Sequence, residues 1–123
     1  MQKINYGLIV SDFDGTLARK DCTISDETKF TINEYIENGG VFVVSTGRMP
    51  TGILPYLRAW GLCGIVSCYQ GSVIMDIQSG KQLLKGAMDK QTIIDACEIM
   101  EELGLHIHLY TLHGYYTNKR NKA

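Results

Sequence analysis

The chain has 123 residues, of which 45% are hydrophobic and 20% charged, the mix of an ordinary soluble globular domain. Its formal net charge of -1 argues against an electrostatic nucleic-acid binder, which carries a basic surplus. The apolar run at residues 8–10 is far too short to span a membrane and the start shows no signal-peptide pattern, so no membrane partner and a cytoplasmic location are expected.

In chain order, residues 4–10 read as a strand that runs into Ser11-Asp12-Phe13-Asp14-Gly15-Thr16. The mixed, polar residues 17–24 predict a loop or small hairpin. Ser25 has the form of a helix N-cap, with Asp26 and Glu27 at the positive end of the helix dipole. Phe30, Ile32, Tyr35 and Ile36 supply one buried helical face, and Gly39-Gly40 a left-handed stop. Residues 41–45 (VFVVS) are a continuous β-branched and aromatic run, as in a strand buried on both faces of a parallel sheet. Pro50 suits the first turn of a second helix reaching about Trp60, and residues 64–68 read as a third strand. This alternation predicts a parallel α/β sheet, doubly wound through right-handed crossovers.

Residues 73–77 and 82–85 flank a Ser79-Gly80 turn and predict an antiparallel hairpin. Asp89 suits the cap of a third helix, with Ile93, Ile94, Cys97, Ile99, Met100 and Leu103 as its apolar stripe and Gly104 as its stop. Residues 105–111 predict a strand, His113-Gly114 a turn, and residues 115–118 a return strand. The pattern changes near Gly86 from buried parallel strands to an amphipathic helix plus hairpin, which divides the chain into domains 1–86 and 87–123. His106 and His108 fall on one strand face and read as ordinary strand histidines. Cys22, Cys63, Cys68 and Cys97 form no CxxC pair and read as reduced thiols. The basic run NKRNK at 118–122 reads as a solvated terminus.

Ligand sites in open α/β sheets lie beyond the carboxyl ends of the strands. Three polar groups fall there: Asp12 and Asp14, then Thr46-Gly47-Arg48, then Gln70-Gly71. Asp12 and Asp14 are two apart, so an extended strand end points both to one side. Close carboxylates repel unless a cation or proton compensates, and a hard cation such as Mg²⁺ prefers such oxygen ligands. An Asp carboxylate also serves as a nucleophile toward phosphorus. Gly15 permits a tight turn whose N–H groups face an anion, and Thr46, Gly47 and Arg48 offer a hydroxyl, amides and a fixed cation to phosphate oxygens.

DFDGTL at 12–17, following an apolar strand, resembles the first signature motif of the haloacid dehalogenase superfamily, and VSTGR at 44–48 resembles the second. CYQGSVI at 68–74 is similar to the segment after the third strand of Cof-type sugar-phosphate phosphatases, which usually carry Asn where this chain has Gln70. The resemblance implies a Rossmann-like core, here its N-terminal portion, with the start of an α/β cap, and a Mg²⁺-dependent phosphatase acting on small phosphorylated metabolites. It further implies that Asp12 attacks phosphorus and binds Mg²⁺. By the same resemblance Asp14 would act as acid and then base while its backbone carbonyl ligates the metal, Thr46 would hold a phosphate oxygen, Gly47 and Arg48 would line the site, and Gln70 would face the substrate.

Two further family motifs, a Lys and an acidic pair, do not follow in these residues. A truncated, weakly active piece is therefore expected, with its first strand on an exposed edge. That piece would self-associate or pair with a chain supplying the C-terminal half. Alternative readings are a non-catalytic phosphate-binding or assembly module, a phosphomutase of the same superfamily, and a receiver-like phosphoacceptor, which the DFDGT context fits poorly.

Overall fold

A computed structural model describes residues 5–119. The chain forms two compact units, Met1–Gly86 and Ala87–Ala123.

In the first unit, β1 (Leu8–Asp12), α1 (Asp26–Glu37), β2 (Val41–Ser45), α2 (Pro50–Ala59) and β3 (Ile65–Cys68) alternate as the sequence predicts. The first strand begins at Leu8 and continues through Asp12, later than the expected span; residue 4 lies outside the described residues. β1 and β2, and β2 and β3, pair in parallel. A hairpin of β4 (Val73–Asp76) and β5 (Gln82–Lys85) then adds antiparallel to β3. The sheet order is β1-β2-β3-β4-β5.

Both crossovers step in the same direction across this sheet, so right-handed connections place α1 and α2 on one face. The expected doubly wound arrangement is thereby corrected to a single helical layer. Registers separate the faces. Phe42, Val44, Val66, Cys68, Val73 and Met75 share one face and are all buried. Ile32 of α1 and Ile53, Leu54 and Leu57 of α2 complete this core. On the other face Leu8 is 56% and Val10 57% exposed, Val41 is exposed, and Val43, Ile65 and Ile74 are half-buried. The reading of 41–45 as buried on both faces therefore holds for one face only. Phe30, expected in the core, is 69% exposed because it lies outside the stripe that α1 turns to the sheet.

The helix ends form as their residues dictate. Ser25 Oγ accepts from the Thr28 N–H at 3.1 Å. Beyond α1, the Gly39 N–H donates to Ile36 O and the Gly40 N–H to Tyr35 O, with Gly39 at φ 93°, a Schellman stop.

The second unit contains α3 (Lys90–Glu102), capped by Asp89 through the Thr92 N–H at 3.0 Å, and a two-stranded ribbon of β6 (His108–Tyr110) and β7 (Tyr115–Thr117). Both strands are shorter than predicted. The Asn118 side chain binds the Ile107 N–H and Leu105 O, replacing ladder bonds where strand was expected. No residue of α3 is fully buried, so its apolar stripe is only partly covered within this unit; Ile99 and Leu103 are exposed. His106 and His108 do share a face, with ring centres 4.6 Å apart. The basic run at 118–122 lies mostly outside the described residues.

Candidate active site

The three parallel strands end together. Asp12 is the register partner of Ser45, which places Thr46 one step beyond the first carboxylate. The Thr46 N–H donates to Ser67 O at 2.9 Å, joining the second loop to β3. The Gln70 N–H donates to Thr46 O at 3.1 Å and the Tyr69 N–H to Arg48 O at 3.2 Å. Backbone bonds thus bring the loop after β3 onto the loop after β2.

Asp12 is exposed, and its Oδ1 accepts from the Phe13 N–H at 2.8 Å. The chain then folds back: the Leu17 N–H donates to Asp12 O at 3.2 Å and the Ala18 N–H to Phe13 O at 2.8 Å. Gly15 takes φ 73° in this turn, a left-handed conformation that glycine adopts without steric cost. Phe13 points inward, fully buried, and stacks on Trp60 with ring centres 5.3 Å apart. The alternation in DFDGT therefore puts one aromatic anchor in the core and leaves both acids exposed.

Arg48 makes the most direct link between the first and second motifs. Its Nε donates to Asp14 Oδ2 at 3.0 Å and its Nη2 to Asp14 Oδ1 at 2.6 Å. The hydrogen bond to Asp14 raises the Arg48 pKa above its ordinary value, with desolvation opposing it. Arg48 thus sets a positive charge against Asp14. Arg48 was expected to line the site; its pairing with Asp14 had no signal in the sequence, since the two are 34 residues apart.

Thr46 is buried, and its Oγ1 accepts from the Arg48 N–H at 3.1 Å, a bond that leaves the O–H as a donor. Gly47 is exposed, but a Cβ there would meet Gln70 Nε2 at 2.8 Å, so the Gln70 amide lies directly over it. Tyr69 and Gln70 both adopt positive φ, 50° and 56°. That conformation costs a non-glycine residue roughly 1–2 kcal/mol, and no sequence feature announced it. The expected residues Asp12, Asp14, Gly15, Thr46, Gly47, Arg48 and Gln70 all lie at the strand ends or in the loops just beyond them, at this one end of the sheet.

Comparisons with known proteins bear on this arrangement. The sequence profile of haloacid dehalogenase-like hydrolases matches residues 9–123. The chain belongs to that family. It is 29% identical over 117 residues to a protein of Streptococcus pyogenes serotype M6 provisionally named a phosphatase, covering 93% of this chain and 44% of that protein. A provisionally named phosphatase of Haemophilus influenzae is 29% identical over 113 residues, covering 92% and 41%. The structure of a haloacid dehalogenase-like hydrolase from Bacillus subtilis superposes with a TM-score of 0.79 at 26% identity, covering 94% of this chain and 40% of that one. The chain thus spans less than half the length of these relatives.

Asp12 stands exposed at the carboxyl end of β1. Among the described residues, no group of three or more His, Cys, Asp or Glu side chains could hold a metal. The exposed Asp12 side chain at the end of β1 offers oxygen donors of the kind that Mg²⁺ prefers. A cation that keeps several waters and takes phosphate oxygens fits such a sparse protein set.

Proposed function

We propose that this chain carries the nucleophile-bearing part of a Mg²⁺-dependent phosphomonoester hydrolase for small phosphorylated metabolites, sugar phosphates of the Cof-type class foremost. The observation that supports it most is the convergence of Asp12, the Asp14–Arg48 pair and Thr46 where β1 and β2 end together. Family membership supports hydrolase chemistry in general.

In this reading an Asp12 carboxylate oxygen attacks phosphorus in line, and the bond from phosphorus to the ester oxygen breaks. Asp14 donates a proton to the departing alkoxide. It then takes a proton from the water that attacks the aspartyl-phosphate, which returns Asp12 and releases inorganic phosphate. The Thr46 hydroxyl donates to a phosphoryl oxygen, and Gln70 faces the substrate. Bound Mg²⁺, held by Asp12 and the Asp14 carbonyl, would neutralise phosphoryl charge. A Lys and further acids would come from the part of the relatives that this chain does not match, so the chain alone is expected to be weak. The proposed setting is the cytoplasm; no helix among the described residues is long and apolar enough to cross a membrane.

Hydrolysis of an aryl phosphate is the test, with the chain alone and with a polypeptide corresponding to the unmatched part of a relative. Mg²⁺-dependent turnover that rises on mixing and vanishes in Asp12→Asn is the expected result. Turnover that survives Asp12→Asn would overturn the assignment. Phosphate binding without turnover in the mixture would favour the non-catalytic binding module.

A further inference from the structure

Arg48 is held along its whole length. Its N–H donates to Thr46 Oγ1 at 3.1 Å and its carbonyl accepts from the Tyr69 N–H at 3.2 Å. Its guanidinium carbon lies 4.9 Å from the Phe13 ring centre and 5.7 Å from that of Tyr56. Phe13 is itself fixed by the stack on Trp60. Nη2 also reaches Cys22 Sγ at 3.8 Å. The guanidinium therefore has an aromatic seat independent of its acidic partner, and weakly hydrated Arg is suited to such a seat.

The partner is held differently. Asp14 lies in an exposed turn, and its two carboxylate oxygens each accept one bond from the Arg48 fork. While the pair stands, both Asp14 carboxyl oxygens are engaged by the Arg48 fork. The side chains of the pair are 32% and 55% exposed, so an entering anion can reach them. An ion pair of that exposure contributes little net stability and opens at little cost. The fork that fits a carboxylate fits two phosphoryl oxygens equally well.

We infer that the Arg48–Asp14 pair is a substrate-operated latch. The phosphoryl group replaces Asp14 on the stationary Arg48 fork, and the Asp14 carboxylate is displaced from it. No covalent bond changes; one anion exchanges for another on the same cation. Before a phosphoryl group arrives, both Asp14 oxygens stay on Arg48. This rests on the proposed phosphatase site, because it requires a phosphoryl group to enter these loops.

The experiment is a titration of the whole chain with inorganic phosphate in the presence of Mg²⁺. Phosphate binding is measured by equilibrium dialysis, and the Arg48 Nε–H and Asp14 carboxyl carbon signals are followed by NMR. The latch predicts that both signals move with the midpoint of phosphate binding. It also predicts that Asp14→Asn tightens phosphate by about two- to fivefold more in the presence of Arg48 than in an Arg48→Met background. If the Met variant loses its dispersed amide spectrum, Arg48→Lys, which keeps the charge and loses the fork, replaces it. Phosphate binding with an unmoved Asp14 signal and equal Asp14→Asn effects in both backgrounds would show a static tie and overturn the latch alone. Absence of phosphate binding even after addition of a polypeptide corresponding to the unmatched part of a relative would overturn both the latch and the phosphatase site beneath it.

Discussion

Cys68 ends β3 with no exposed surface, and burial pushes its thiol from 9.0 up to about 11. Cys63, in the loop before β3, is exposed. Alkylation of the folded chain should therefore label Cys63 readily and reach Cys68 only on unfolding; equal labelling rates would contradict the packing of β3. The same burial has a pH consequence. Between 9.0 and about 11 the unfolded chain has released the Cys68 proton while the folded chain keeps it. The stabilisation is complete below that window and is lost as pH rises through it. Urea unfolding at about pH 8 and about pH 10 should show a larger decline for the native chain than for Cys68→Ala, which lacks this group.

At the scale of elements, α1 depends on its ends. Its start is held by Ser25, and Ser25→Ala should lower stability by about 1 kcal/mol, the usual value for a lost N-cap. Its stop depends on Gly40, where an added Cβ would collide with the Tyr35 ring, whose hydroxyl donates to Tyr6 O at 2.7 Å. Gly40→Ala should therefore cost about 1–3 kcal/mol, the range for overpacking, and release the Tyr35–Tyr6 contact. Denaturant midpoints for the two variants check both values. A neutral Gly40→Ala would mean that Tyr35 moves aside freely.

At the scale of the whole molecule, the decisive feature is β1. Its apolar residues Leu8 and Val10 face outward on the uncovered side, and among the described residues its outer edge pairs with no strand. A long apolar edge of this kind recruits further strands. The chain alone should therefore self-associate in a concentration-dependent way, and the Leu8→Lys/Val10→Lys variant should associate less. Sedimentation velocity measures this; a native chain that stays monomeric throughout would sink the prediction. Pairing with a polypeptide that supplies the relatives' remaining length is proposed to cover the same surface.

Local chemistry was enough to read much of this protein directly. The Ser25 and Asp89 caps, the Gly39-Gly40 stop, the hairpin at Ser79-Gly80 and the strand-helix alternation each depend on residues close in sequence, and all appear in the fold. The loop residues of the candidate site were legible because strand ends position them. Three things depended on tertiary structure. The pairing of Arg48 with Asp14 joins residues brought together only by the β1–β2 register. The left-handed backbone at Tyr69 and Gln70 is imposed by bonds to the preceding loop. Which side of β1 and β2 is covered follows from crossover direction, which no strand's own composition encodes; hence a run as apolar as VFVVS reads as wholly buried and yet lies open on one face.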